Sequence, residues 1–251
     1  MQVIIAGRIV AYDSLGTAKR SVLMLHGWGS NRQSMSALAK ALSADYHVVS
    51  VDVPGFGESE RPESIWGLSE YADWITKLLE KLEIKKLYGL VGHSNGGAIA
   101  IKLASTGYPI EKLILLGASG VRGRERGRQL LYKAIAKTGK KATIILPKKL
   151  QTNVRKKWYK KIGSELYDVP GMEGSFKKVT SEDLVIEATM ISVPTLLVYG
   201  SEDMATPVTY GQAYSQVIEG SQLDVVEGAG HYSFIDKPKE VTSLIVEFLA
   251  K

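Results

Sequence analysis

The chain has 251 residues, 45% of them hydrophobic, with 32 Lys+Arg against 26 Asp+Glu and a formal net charge of +6. It contains no cysteine, which excludes disulfides, thiolate catalysis and cysteine-ligated zinc or iron–sulfur centres. This length suits one α/β domain with an insertion, or at most two small domains, with ample chain to bury a core.

The first eight residues lack a basic start followed by a long apolar run and make a poor signal peptide. No apolar run approaches the ~20 residues that span a bilayer. A cytoplasmic chain without a transmembrane segment is the expectation. Residues 3–12 read as a β-hairpin turning at Gly7-Arg8. Residues 22–26 form a short continuous apolar run, as expected of a strand buried on both faces, and residues 46–51 read the same way. Between them, residues 33–42 have helical spacing. Ser69 is placed to cap a helix reaching about Leu82. Its apolar residues Tyr71, Ala72, Ile75, Leu78, Leu79 and Leu82 recur at three- and four-residue steps. Further strands are expected at residues 86–91, 113–116, 195–199 and 222–226, with helices starting at Gly97 and over residues 241–249.

Strands alternating with amphipathic helices imply an α/β fold with a doubly wound, mostly parallel sheet. Such sheets place function at the carboxyl ends of their strands. His26, Asp52, Ser94, Gly117, Asp203 and His231 all stand just past an apolar run.

The segment Gly92-His93-Ser94-Asn95-Gly96 reads G-x-S-x-G between a strand and a helix, the context in which that motif marks a nucleophilic serine on a strained turn. Gly92 and Gly96 stand where a side chain would collide with the turn, and Gly97 lets the helix pack closely. A serine hydroxyl needs a base. Of the four histidines, His47 reads as a strand residue, His93 as structural and His26 as loop-shaping. His231, in the glycine-flanked loop Gly228-Ala229-Gly230-His231, is the candidate base. The base needs a carboxylate to hold its tautomer and stabilise the imidazolium. Asp203, just past the strand at 195–199, is the better candidate, with Glu202 beside it as the alternative. Two backbone N–H groups are expected to hold the developing oxyanion, that of Asn95 and that of Trp28 in His26-Gly27-Trp28-Gly29. The Trp28 ring reads either as a packed core aromatic or as a lining of the substrate site, and Tyr232 is taken as a second substrate-binding residue.

The order Ser94, Asp203, His231 is nucleophile, acid, base. Together with Asp52-Val53-Pro54-Gly55-Phe56-Gly57-Glu58-Ser59 and Gly200-Ser201-Glu202-Asp203, it makes the chain resemble the α/β-hydrolase superfamily, in its small, capped, carboxylesterase-like form. The resemblance implies a core of residues 1–119 and 191–251 with a small helical lid over residues 120–190. It implies ester hydrolysis through an acyl-enzyme on a small-molecule ester, and a structural role for the turn at 52–59. Acyl transfer, thioester cleavage or carbon–carbon hydrolysis could run on the same triad, and a small-molecule receptor could retain it. Asn95 stands where the family usually has Leu or Met.

The expected lid is strongly basic. Between Arg122 and Glu187 there are 17 Lys+Arg against 7 Asp+Glu, whereas the rest of the chain holds 15 against 19. Leu130, Leu131, Ala134 and Ile135, then Trp158, Tyr159, Ile162 and Leu166, give helix-like apolar spacing within it. A solvated outer face is the simplest reading. An acidic carrier protein or anionic acyl substrate, or an anionic membrane surface, would also suit the charge. No motif for specific nucleic-acid binding occurs. Nor does a dinucleotide fingerprint, a P-loop or a metal-spaced histidine–carboxylate cluster, so no cofactor and no metal is expected.

Overall fold

The computed structural model describes residues 1–122 and 169–251. Eight strands form one sheet: β1 (Gln2–Ile5), β2 (Arg8–Leu15), β3 (Ser21–Leu25), β4 (His47–Val51), β5 (Leu87–His93), β6 (Ile110–Leu116), β7 (Thr195–Gly200) and β8 (Gln222–Val226). Their spatial order is β1-β2-β4-β3-β5-β6-β7-β8. The hairpin β1–β2 and the pair β2–β4 are antiparallel, and every later pairing is parallel. The hairpin turns at Ala6 and Gly7, with φ of 48° and 80°, one residue before the expected Gly7-Arg8.

The inner strands read as unbroken apolar runs because both of their faces are covered. Successive side chains point to opposite sides. Leu23 and Leu25 therefore join the layer under α2 (Leu68–Lys81) and α3 (Asn95–Ser105). Val22 and Met24 join the other layer, under α1 (Ser36–Leu42) and the C-terminal α8 (Pro238–Ala250). The helix α2 begins one residue before the expected Ser69 cap. The Gly67 N–H donates to the Glu70 carboxylate at 2.8 Å, so a side chain from the first turn supplies the cap. Among the described residues no helix is long and apolar enough to cross a membrane.

Chain from the expected lid returns to the core as α4 (Glu173–Val179) and α5 (Val185–Ala188). Ser175 Oγ accepts from the Trp66 N–H at 2.9 Å, and Glu182 Oε1 accepts from the Leu68 N–H at 2.9 Å. The Leu184 N–H donates to the Gly120 carbonyl at 2.7 Å, which fastens the returning chain to the departing one. The two helix-like patterns read at Leu130–Ile135 and Trp158–Leu166 lie outside the described residues. Two helices that strand and helix periodicity did not reveal complete the fold, α6 (Val208–Ser215) and the short α7 (Ser233–Asp236).

Candidate active site

The strand β5 ends at His93, and the next residue, Ser94, has φ 53° and ψ −116°. A non-glycine residue held there stores backbone strain. The surrounding chain enforces it. The Ser94 N–H donates to the Leu116 carbonyl at 3.0 Å, and the Ser94 carbonyl accepts from Ala98 and Ser119, each at 3.1 Å. The flanking glycines are steric necessities. A Cβ on Gly92 would lie 2.5 Å from the Gly96 carbonyl oxygen, and one on Gly96 would lie 2.3 Å from that of Leu25. The turn therefore closes only on glycine at both positions, with Ser94 at its apex and 9% exposed.

Beyond β8, Gly228 turns the chain at φ 66°. The loop crosses back over the sheet, where the Glu202 N–H donates to the Ala229 carbonyl at 2.9 Å. This path carries His231 to the elbow. Its Nε2 lies 2.9 Å from Ser94 Oγ and its Nδ1 lies 2.8 Å from Asp203 Oδ2. An ionised carboxylate only accepts, so Nδ1 carries the proton and Nε2 presents its lone pair to the serine hydroxyl. The Asp203 carboxylate is fully enclosed. Its Oδ1 accepts from the N–H groups of Ala205 and Thr206 at 2.8 and 2.9 Å, and its Oδ2 from the Thr206 hydroxyl at 2.8 Å. Burial pushes this carboxyl upward, but the hydrogen bond and charge of His231 and the donors of Thr206 outweigh it, leaving it below the ordinary aspartate value. Glu202, the neighbouring alternative, is exposed, and the carboxylate hydrogen-bonded to the imidazole is that of Asp203. The serine, imidazole and carboxylate thus form one continuous hydrogen-bonded line.

The loop after β3 runs against the elbow. A Cβ on Gly27 would lie 3.1 Å from the Ser94 Cβ and 3.0 Å from His93 Nδ1, so Trp28 follows directly beside Ser94. As the first residue of α3, Asn95 has no preceding turn to take its N–H, and among the described residues neither its N–H nor that of Trp28 donates to a backbone carbonyl. The Trp28 ring is buried, edge-on to Phe56 at 4.8 Å and to Phe176 of α4 at 5.2 Å. It joins the loop after β3 to the chain returning at α4. Tyr232 sits next to His231, its ring 4.8 Å from that of His93.

His26 closes this loop from behind. Its Nδ1–H donates to the Gly27 carbonyl at 2.7 Å and its Nε2 accepts from the Val53 N–H at 3.0 Å. The acceptor bond at Nε2 requires a neutral ring, and burial, outweighing the Gly27 bond and the Asp52 charge, lowers its pKa accordingly. His93 is buried as well, and its Nε2–H donates to the His231 main-chain carbonyl at 3.0 Å. Desolvation, then the proximity of His231, hold His93 down to about 3.

Three residues of this region carry no local signal in the sequence. Thr206 touches both Asp203 and His231. His93 reaches the main-chain carbonyl of His231. Arg32, only 8% exposed, pairs with Asp52 and with Glu58 at 2.8 Å, and Asp52 also accepts the N–H groups of Arg32 and Glu58 at 2.7 and 2.9 Å. This cluster ties the loop after β3 to the turn at 52–59. Among the described residues no three His, Asp or Glu side chains group as a metal site would require.

A parallel sheet with a serine elbow after its central strand defines a class, and the comparisons agree with it. The model of the Alpha/beta hydrolase family matches residues 22–244, and the chain belongs to that family. It is 28% identical over 250 residues to the AB hydrolase superfamily protein YisY of Bacillus subtilis, covering 91% of each chain. It is 28% identical over 257 residues to the monoacylglycerol lipase ABHD6 of Rattus norvegicus, covering 92% of this chain and 76% of the lipase. Its fold matches that of the esterase EaEST from Exiguobacterium antarcticum with a TM-score of 0.78 at 24% identity, covering 100% and 99% of the two chains. Family membership, with a lipase among the relatives, supports hydrolase activity.

Proposed function

We propose that this chain hydrolyses carboxylic esters through an acyl-enzyme on Ser94. The observation that carries the reading is the unbroken line from Ser94 Oγ through His231, 2.9 Å and then 2.8 Å, to Asp203. In this reading Ser94 Oγ forms a bond to the acyl carbon while its proton passes to His231 Nε2. Asp203 holds the ring and offsets the imidazolium charge. The N–H groups of Trp28 and Asn95 receive the oxyanion, each such donor typically contributing ~2.7–4 kcal/mol to the transition state. Collapse breaks the carbon–oxygen bond, and the departing alcohol takes the proton from Nε2. Water then repeats the sequence on the acyl-enzyme, releasing the acid and freeing Ser94.

Trp28 and Tyr232 border this chemistry and are assigned to substrate binding, with the Trp28 and Phe176 rings providing apolar surface for an acyl or alcohol group. A monoacylglycerol lipase among the relatives supports an ester as the substrate class.

Turnover of short p-nitrophenyl esters tests the reading. Ser94→Ala should lower kcat by about 10³-fold or more while leaving the denaturation midpoint in place, and a fluorophosphonate should label Ser94 alone. Near-wild-type turnover by Ser94→Ala would remove the serine from its assigned role.

A further inference from the structure

Thr206 lies in the loop between β7 and α6, 4% exposed. Its Oγ1 is 2.8 Å from Asp203 Oδ2, 2.8 Å from the Gly117 carbonyl oxygen and 3.1 Å from His231 Nδ1. Three strand ends therefore meet at one hydroxyl: β6 through Gly117, β7 through Asp203, and β8 through His231. The junction has no spare room. Gly117 has φ 50°, and a Cβ on it would lie 3.2 Å from both Asp203 Oδ2 and Thr206 Oγ1.

The hydroxyl has one proton and two neighbours that can only accept. The carboxylate is the charged one, and hydrogen bonds to a charged acceptor are roughly twice as strong as neutral ones. The proton therefore goes to Asp203 Oδ2, with the Gly117 carbonyl as the alternative acceptor on the far side. With this bond made, each Asp203 oxygen has two donors: Ala205 and Thr206 N–H on Oδ1, Thr206 hydroxyl and His231 Nδ1–H on Oδ2. A carboxylate pinned at both oxygens cannot rotate about its Cβ–Cγ bond. Its Oδ2 lone pair stays on the line to Nδ1, and through it the Nε2 lone pair stays on Ser94.

We propose that Thr206 is a positioning residue of this site, acting through Asp203 to hold the His231 ring at the nucleophile. The proposal rests on the reading of Ser94, His231 and Asp203 as a catalytic triad. Thr206 touches neither Ser94 nor the oxyanion loop in the described contacts, so its effect belongs to the proton-transfer steps and not to substrate binding.

The test compares Thr206→Val, which keeps the branched shape and removes the proton, with Thr206→Ser, which keeps the hydroxyl. Three quantities are read on the full chain: kcat and KM for a p-nitrophenyl ester, and the rate of Ser94 labelling by a fluorophosphonate. Thr206→Val should lower kcat and the labelling rate about tenfold with KM unchanged, and Thr206→Ser should recover both to within about threefold of wild type. In an Asp203→Asn background, Thr206→Val should cost less than twofold more, because the partner it acts through is already gone. Wild-type kcat and labelling in Thr206→Val, equal losses in the Val and Ser variants, or a full tenfold further loss beside Asp203→Asn would each overturn the proposal. Thr206→Ser keeps the test decisive if Thr206→Val fails to fold, since impaired turnover in a folded Ser variant also counts against it. Failure of the wider reading looks different. A wild-type chain that turns over no ester, yet labels at Ser94 tenfold faster than Thr206→Val, would retire ester hydrolysis and keep the role of Thr206.

Discussion

The ring of His93 and the main-chain carbonyl of His231 are joined by a 3.0 Å hydrogen bond across 138 positions of sequence. The residue immediately before Ser94, the proposed nucleophile, thus holds the backbone of the residue proposed as its base. Any displacement of the elbow carries the loop of His231 with it. The two rings are also 4.7 Å apart, so the contact fixes the imidazole laterally as well as along the loop.

Replacing His93 by Phe fills the slot and removes the donor. The part-buried His231 carbonyl is then left without its partner, a loss of about 1–3 kcal/mol. Urea denaturation should report a lower midpoint with an unchanged slope, and kcat should fall more than KM rises.

Stability should also depend on acid in a definite direction. His93 is held at about 3 when folded and His26 is held below its ordinary value, so the unfolded chain binds protons at these rings before the native chain does. The stability that follows from the neutral rings is whole above about pH 6.5 and is lost progressively as pH falls toward about 3. Denaturation midpoints measured across that window should decline, and the decline should be shallower in His93→Phe.

Arg32 gives the third prediction. Burial works against the guanidinium, but Glu58, Asp13 and Asp52 outweigh it and raise its pKa above the ordinary arginine value. Arg32→Met leaves the fully enclosed Asp52 without its cation, which typically costs about 3–5 kcal/mol. A calorimetric melting temperature should drop sharply. Esterase turnover at a temperature where the variant remains folded should fall too, because Arg32 links the turn at 52–59 to the loop that carries Trp28.

The glycines separate into two kinds that alanine should distinguish. At Gly96 a Cβ would strike the backbone oxygens of Leu25 and His26 at 2.3 and 2.5 Å. Gly96→Ala should abolish the folded state or the turnover, as far-UV circular dichroism and ester assays would show. At Gly7 nothing lies within 4 Å, although φ is +80°. Gly7→Ala should cost only about 1–2 kcal/mol, the strain of the left-handed conformation, with activity retained.

Much of this architecture is legible along the chain. The buried strands announce themselves because both faces are apolar, and the elbow because its glycines flank a serine between a strand and a helix; Gly92 is demanded by the Gly96 carbonyl four residues on, Gly96 by the distant Leu25 carbonyl. Where reading failed, the cause was a competing contact. The start of α2 is set by Glu70 reaching back to Gly67, so the serine that looks like a cap is already inside the helix. The helix α6 escaped because it packs Gly211 against the Tyr199 ring and shows no clean apolar stripe.

The sequence by itself determined the order of strands and turns and the three side chains worth testing, since periodicity and turn sterics act over a few residues. Tertiary structure alone decided which carboxylate meets the imidazole, that His93 grips its backbone, and that Thr206 and Arg32 are buried among charges. The longest of those relationships joins residues 138 positions apart, and a polar side chain's partner is chosen by proximity in space, which no local pattern records.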